Sequence, residues 1–358
     1  MAGLLLYCRS GFENDVANEV QDKASLLGVY GYAQSKAHSG YVLFQCHQGE
    51  QADVLAKSLQ FEQMIFARQM FACQSSLDAL DVNDRIGPIL QACADFPLCG
   101  ELRVEHSDTT DGRELSKFCR KFSVPLRQAL RKKNKLTNKD NPNKPVLHVF
   151  FTKTDQAHLG YSYPDNNSPQ ALGIMRLKFP NAAPSRSTLK LDEAFQTFIP
   201  KQEHEHRLQG GLHAVDLGAC PGGWTYQLVQ RGMFVHAVDN GAMDEALMES
   251  GQVRYYPEDG FKFKAKKNNI YWLVCDMIEQ PQRVAKLMAT WVAEKRCQEA
   301  MFNLKLPMKK RYECVQGSLE IVSQVMKEHQ HKNYQIQAKH LYHNREEVTV
   351  HLRLGTGT

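Results

Sequence analysis

Residues 214–232, AVDLGACPGGWTYQLVQRG, decide how the second half of the chain folds. An apolar run ends in Asp216, turns through Gly218 and gives way after Pro221 to a stretch with helical spacing. Pro221 suits the first turn of that helix, where a missing N–H is harmless. A nicotinamide-binding turn needs G-x-G-x-x-G, so that the backbone can approach a pyrophosphate. Here the glycines are Gly218, Gly222 and Gly223, and the second comes too late for that grip. No G-K-[ST] follows, which excludes a P-loop. A carboxylate beside such a turn favours a cationic or hydroxyl-rich ligand over a phosphate.

Three more acids stand at the ends of the following apolar runs: Asp239 in FVHAVD, Asp259 in PEDGF and Asp276 in VCDM. A lone acid there more often caps a helix. Four in series, beside a glycine turn, line the crevice where sheets of this class bind ligands. Asp239 is placed for a bidentate grip on two ribose hydroxyls. S-adenosyl-L-methionine matches these requirements, with a ribose, an adenine, an amino acid end, a positive sulfonium and no phosphate.

Around this turn the sequence alternates between strands and helices. GLHAVDLG, MFVHAVDN, QVRYYPED, IYWLVCDM, EAMFNLKL, NYQIQAKHLY and EEVTVHLRL read as strands. The first are continuously apolar, as buried parallel strands are, and the last alternates as a half-exposed strand does. Residues 185–354 are therefore expected to form an α/β domain, a Rossmann-like doubly wound sheet with an antiparallel end. Residues 166–184, rich in Pro, Asn and Ser, read as a linker.

Residues 1–165 read as α+β, in the manner of two small ferredoxin-like units. GLLLYCRS, GYVLFQC, MIFARQMFAC and CGELRVEHSD are the expected strands, and KPVLHVFFTK with AHLGYSY an expected hairpin. GFENDVANEVQDKASLLG, residues 51–59 and GRELSKFCRKFSVPLRQALRKK are the expected helices.

The 358 residues allow two domains with full cores. A hydrophobic fraction of 42% and a charged fraction of 23% are those of a globular protein. A net charge of +5 permits a nucleic acid partner without requiring one. The ten cysteines are scattered, with no CxxC pair and no Cys/His cluster at zinc spacing, so reduced thiols and no metal are expected in a cytoplasmic protein. No secretory signal and no membrane-spanning apolar run is visible.

DLGACPGGW, which closes on Trp224, resembles the D-L-G-x-x-P-G-G-[FW] turn of the FtsJ-type RNA ribose 2′-O-methyltransferases. The likeness extends through SRSTLKLDEAF before the turn and through VCDM, NLKLP and REEVTV after it. With CRSGFENDVANEV and a THUMP-like layout ahead of it, the whole chain resembles bacterial large-subunit ribosomal RNA methyltransferases. The resemblance implies S-adenosyl-L-methionine as cofactor. Ser187 would lie at its amino acid end, and Cys220, Pro221, Gly222, Gly223 and Trp224 would form the turn against it. It also implies a Lys-Asp-Lys-Glu tetrad at Lys190, Asp276, Lys305 and Glu347, with Glu347 taken over its neighbour Glu346 because it directly precedes the valine. The target would be a cytidine ribose of 23S ribosomal RNA, reached before the large subunit is fully assembled.

The chemistry asks for such a group. A ribose 2′-hydroxyl attacks a sulfonium methyl only when nearly deprotonated and in line. A lysine serves as base if burial or a second cation lowers its pKa. Lys305, the single charge on AMFNLKL, would take the proton, with Lys190 lowering its pKa and steering the hydroxyl. Asp276 and Glu347 would orient both lysines. A lone lysine at a strand end otherwise snorkels to solvent. Cys220 lacks the Pro-Cys context of a catalytic thiol and reads as turn lining.

RNA would be held by basic runs. Residues 127–144 carry Arg127, Arg131, Lys132, Lys133 and Lys135 against the lone acid Asp140. A second run is KFKAKK, residues 262–267, and a third is KLPMKKR, with Lys309 and Lys310 beside Lys305. Such contacts to phosphate give salt-sensitive, sequence-independent affinity, and the 2′-hydroxyl itself excludes DNA as substrate. The competing readings are an RNA base methyltransferase, which would want a [DN]-P-P-[FY] signature, and a non-catalytic RNA-binding protein on a dead methyltransferase fold, which would not need both lysines.

Overall fold

The computed structural model describes residues 2–265 and 269–355. The chain divides into two compact units, Met1–Met175 and Arg176–Thr358.

The first unit runs β1 (Gly3–Tyr7), α1 (Glu13–Leu26), β2 (Gly31–Ser35), β3 (Tyr41–Cys46), α2 (Gln51–Ser58), β4 (Gln69–Leu77), α3 (Ile86–Ala92) and β5 (Glu101–His106). It continues with α4 (Thr110–Glu114), α5 (Ser116–Lys132), β6 (Val146–Lys153) and β7 (Gln156–Ser162). The strands form one sheet in the order β2-β3-β1-β4-β7-β6-β5. The first half, β2-β3-β1-β4, is an expected ferredoxin-like unit, whereas the second half departs from that expectation, with β5 parallel to β6 in the order β4-β7-β6-β5; both share one continuous sheet. Strand β4 makes the join, pairing antiparallel with β1 through Gln69–Cys73 on one edge and with β7 through residues 72–77 on the other.

Two further sequence expectations shift here. MIFARQMFAC starts as a buried loop, because the N–H groups of Ile65 and Phe66 donate to the Glu19 carboxylate (2.5 and 2.9 Å) rather than to a strand. Strand β2 is an additional, mostly exposed strand at the sheet edge, whose sequence GYAQS has no apolar alternation to mark it.

The second unit opens with α6 (Thr188–Phe198) and α7 (His204–Arg207), then β8 (His213–Leu217), α8 (Gly223–Gln230), β9 (Phe234–Val238), α9 (Glu245–Glu249) and β10 (Val253–Tyr256). After these come β11 (Ile270–Cys275), α10 (Pro281–Ala293), β12 (Cys297–Lys305), α11 (Arg311–Glu328), β13 (Tyr334–Lys339) and β14 (Glu347–Leu354). The sheet order is β10-β9-β8-β11-β12-β14-β13. Strands β8 to β12 are parallel, and β14 and β13 close the sheet antiparallel. Successive strands leave β8 in one direction and resume at β11 on its other side. The β8–β11 junction is therefore the topological switch point, where ligands of such sheets bind.

Strand β14 departs from its expected half-exposed state. Its valines fill one face, but its polar residues are buried too: Glu347, Thr349 and His351 are all 7% exposed or less. The cover on that face includes Phe198 of α6, stacked on the His351 ring at 6.0 Å, and Trp272 of β11. Polar groups buried on a covered face must find partners, and on β14 they find them in β12.

Candidate active site

Strand β8 delivers Asp216 and Leu217 to the switch point, and the chain then turns through Gly218 at φ +76°. A Cβ at Gly218 would stand 2.4 Å from the Met277 side chain, so only glycine allows the turn to pass there. The N–H groups of Gly218 and Ala219 donate to the carbonyl of Val238 (2.9 and 3.3 Å), which ties the turn to the end of β9. Helix α8 starts at Gly223, with Gly222 as its N-cap; Pro221 therefore precedes the helix rather than sitting in its first turn, and follows Cys220 in a cis peptide bond. A Cβ on Gly223 would meet the Ser187 and Ser185 hydroxyl oxygens at 2.0 and 2.4 Å. These two hydroxyls lie 2.6 Å apart, so the SRST segment packs directly on the glycine turn.

The acids occupy distinct states. Asp216 is 1% exposed; its Oδ2 accepts from Thr225 (2.7 Å), and its Oδ1 has no hydrogen-bond partner. Burial, with a smaller push from Asp276 and Asp239, raises its pKa to about 7. Asp239 accepts from the N–H groups of Cys220 (3.0 Å) and Gly241 (2.9 Å), leaving one lone pair on each oxygen for a ligand. Asp259 is exposed and caps its own turn through the Phe261 N–H (2.9 Å). Cys220 has its thiol pushed up to about 11 by burial and by Asp239 and Asp216, which keeps it protonated and fits a lining role. Trp224 places its indole in the apolar core of the unit.

Asp276 follows β11 directly and anchors the remaining group. Its Oδ1 accepts from Lys305 at the end of β12 and from Asn303 Nδ2 (2.8 Å). Its Oδ2 accepts from Lys190 of α6 (3.1 Å). Glu347, which opens β14, contacts both lysines, Lys305 at 2.9 Å and Lys190 at 2.5 Å. Antiparallel pairing sets Lys305 opposite Glu347, which is why two strand ends meet here. Glu346 turns to the surface and pairs with Arg311 (2.8 Å). Lys190, Asp276, Lys305 and Glu347 are thus one closed quartet, each lysine touching both acids.

Burial would raise the Asp276 pKa, but Lys305 and Lys190 outweigh it and hold the carboxyl below its usual range. For Lys305 burial acts downward, and Asp276 and Glu347 outweigh it, so its net shift is upward. In the protein alone Lys305 is therefore a stabilised ammonium, opposite to the depression expected from Lys190.

The basic residues divide. Arg127 faces Asp140 (3.4 Å), Arg131 donates to the Thr137 carbonyl (3.0 Å), and Lys135 donates to the Phe96 carbonyl (3.0 Å). These three secure the loop after α5, whereas Lys132, Lys133, Lys309 and Lys310 are exposed. Lys262 and Lys264 are exposed as well, and Lys266 and Lys267 of the same run lie outside the described residues. Sequence reasoning missed Ser185, Thr225, Met277 and Asn303, all of which touch the site through tertiary contacts that no local pattern announces.

Residues 1–71 match the RlmM ferredoxin-like domain, residues 84–163 the N-terminal part of ribosomal RNA large subunit methyltransferase M, and residues 183–331 the FtsJ-like methyltransferase family. The ribosomal RNA large subunit methyltransferase M of Pseudoalteromonas atlantica is 69% identical over 99% of this chain and 100% of its own. Proteins of the same description from Shewanella sp. and Vibrio parahaemolyticus are 54% and 55% identical, over 100% and 98% of this chain and 99% and 98% of theirs. With a methyltransferase sheet, its glycine turn and full-length likeness to these relatives, the chain belongs to the ribosomal RNA large subunit methyltransferase M family.

Proposed function

We propose that the protein methylates a ribose 2′-hydroxyl, that of a cytidine in 23S ribosomal RNA, before the large subunit is fully assembled. The observation that carries this reading is the closed quartet of Lys190, Asp276, Lys305 and Glu347, set beside the glycine turn at the carboxyl ends of β11 and β12. A base methyltransferase has no use for two lysines sharing two carboxylates. S-adenosyl-L-methionine, when bound, supplies an electrophilic methyl group on a positive sulfonium.

The residues present fit that cofactor. Asp216 Oδ1 is a buried acceptor without a partner, suited to a cationic ligand. Asp239 retains lone pairs for ribose hydroxyls, and the Gly218, Gly222 and Gly223 turn, with Ser187 and Cys220, lets backbone approach closely. Lys305 is held as an ammonium by its carboxylates, and a positive charge bound in the crevice opposes that hold. Once its ammonium proton has passed to solvent, the neutral Lys305 amine accepts the hydroxyl proton, while Lys190 keeps the two carboxylates compensated and steers the oxygen. Exposed Lys309 and Lys310 follow Lys305 closely enough to grip phosphates beside the target ribose, and Lys132 and Lys133 supply a further basic surface.

Nucleoside mass spectrometry on unmodified ribosomal RNA, incubated with the protein and S-adenosyl-L-methionine, tests the reading. The expected product is 2′-O-methylcytidine, absent with Lys305→Ala. A base-methylated nucleoside would overturn the ribose assignment, and full product with Lys305→Ala would overturn the base.

A further inference from the structure

Behind the quartet, toward the interior of the sheet, lies a second polar group that the reaction as described does not use. Asn303 precedes Lys305 by two on β12 and so faces the same side; Thr349 is its partner on β14. Thr349 donates its hydroxyl to Asn303 Oδ1 (2.7 Å), and Asn344, in the connection before β14, donates Nδ2 to the Thr349 oxygen (2.8 Å). All three side chains are fully buried. Three neutral polar side chains between apolar layers destabilise a core unless each is partnered.

The polarity of this chain has one solution. Asp276 is ionised and can only accept, so Asn303 must turn its NH₂ toward it. The Asn303 carbonyl then faces Thr349 and takes its single hydroxyl proton. Thr349, having given that proton, accepts from the Asn344 NH₂. Reversing the Asn303 amide would set a carbonyl against the carboxylate, and reversing Asn344 would set one against a Thr349 oxygen whose proton is already given to Asn303. The carboxylate thus fixes every donor behind it, and the chain in return holds the Asn303 N–H on Asp276 Oδ1.

We propose that Asn303 is a positioning residue for methyl transfer, locked by Thr349 and Asn344 so that Asp276 keeps a permanent neutral donor on the oxygen that Lys305 also uses. This rests on the reading of Lys305 as base. When Lys305 gives up its ammonium proton, Asp276 loses a cation from Oδ1, and the Asn303 N–H remains to stabilise the carboxylate. Asp276 is then a weaker competitor for the proton and stays an acceptor that orients the Lys305 amine. The titratable groups around Asp276 are Lys305 from β12, Lys190 from α6, Glu347 from β14, Asp216 from β8 and the adjoining Cys275 thiol. Asn303 is the uncharged donor among them.

Single-turnover methylation of ribosomal RNA across pH, with Asn303→Leu, Thr349→Val and Thr349→Ser, tests the proposal. Removing the N–H makes Asp276 more basic, so the quartet holds its proton more tightly. Asn303→Leu is expected to lower the rate roughly tenfold and to move the acid limb of the profile up by about one pH unit. Thr349→Val is expected to do the same to a smaller degree, and Thr349→Ser, which keeps the hydroxyl, to restore both. If Asn303→Leu fails to fold, the Thr349 pair carries the test. A rate loss with an unmoved limb, or no change in Thr349→Val, overturns the positioning role. Carbon-13 titration of the Asp276 carboxyl reads the same effect without turnover: an upward shift in Thr349→Val supports the role and an unmoved one overturns it. Retained activity in Lys305→Ala would instead strike the base reading, and the Asp276 titration then decides the positioning role alone.

Discussion

Strands β12 and β14 carry an ion cluster at each end of their shared ladder, and the two differ in burial and in setting. At the carboxyl end of β12, Lys305 and Glu347 join Lys190 and Asp276, with side chains 9–19% exposed. Toward its other end, Glu299 accepts from Arg207 Nε (2.7 Å) and from the neutral His351 ring (2.8 Å), with side chains 1–6% exposed. Burial would raise the Glu299 pKa, yet the His351 and Arg207 hydrogen bonds bring it down to about 2. The Arg207 carbonyl, in turn, accepts from the Trp272 indole (2.7 Å), which pins α7 to the sheet. The Glu299 cluster is centred in the core, while the quartet stands at the carboxyl ends of the strands, where sheets of this class bind ligands. Charge in a buried strand is not by itself a sign of function; its place along the strand is.

Breaking each cluster should separate the two. Lys305→Met is expected to reduce single-turnover methyl transfer by about 10³-fold, with the smaller change in thermal midpoint of the two variants. Glu299→Ala leaves the buried Arg207 guanidinium with the half-exposed Glu203 as its remaining carboxylate and should destabilise the protein by up to ~3 kcal/mol in chemical denaturation. Per folded molecule, Glu299→Ala should methylate at the wild-type rate. If the two variants exchanged these effects, the division between a catalytic and a structural cluster would fail.

Acid titration sharpens the same contrast. Glu299 ionises in the folded protein near 2, against an ordinary 4.5. Its contribution is therefore complete above pH ~4.5 and fades as pH falls from there toward ~2. Glu299→Gln should flatten the stability profile across that window, read as urea midpoints at successive pH values. An unchanged slope would mean that the Arg207 and His351 contacts do not hold in solution.

Much of the crevice is legible in the sequence, because chemistry at strand ends leaves local marks. Asp216, Gly218, Asp276 and Lys305 each break an apolar run at its carboxyl end, and Lys190 and Glu347 follow from the family likeness. The interior of the site is not legible in the same way. Asn303 and Thr349 look like ordinary alternating positions, and only the β12–β14 register places one against the other. The alternation of β14 suggests a wet face, whereas α6 and Trp272 cover it and turn its polar residues into the ladder. The direction of the Lys305 shift is hidden for a related reason. It depends on two acids reaching one ammonium, and their distances are set by α6, β11 and β14 together.

Asp216 gives the most direct check on the crevice. Its folded pKa, near 7, lies above the ordinary 3.8, opposite to Glu299. Such a group binds its proton more tightly in the folded state, so its contribution is full below pH ~3.8 and is lost as pH rises through ~7. Asp216→Asn should therefore lose less stability than the wild type over that interval, read as thermal midpoints at successive pH values. The cause is burial without compensation, so a cationic ligand beside Oδ1 should relieve it. S-adenosyl-L-methionine should then stabilise the wild type more at pH 8 than at pH 5, and the Asn variant by a similar amount at both. Equal stabilisation of the wild type at the two pH values would remove Asp216 from the cofactor site and leave it a buried acid that only caps Thr225.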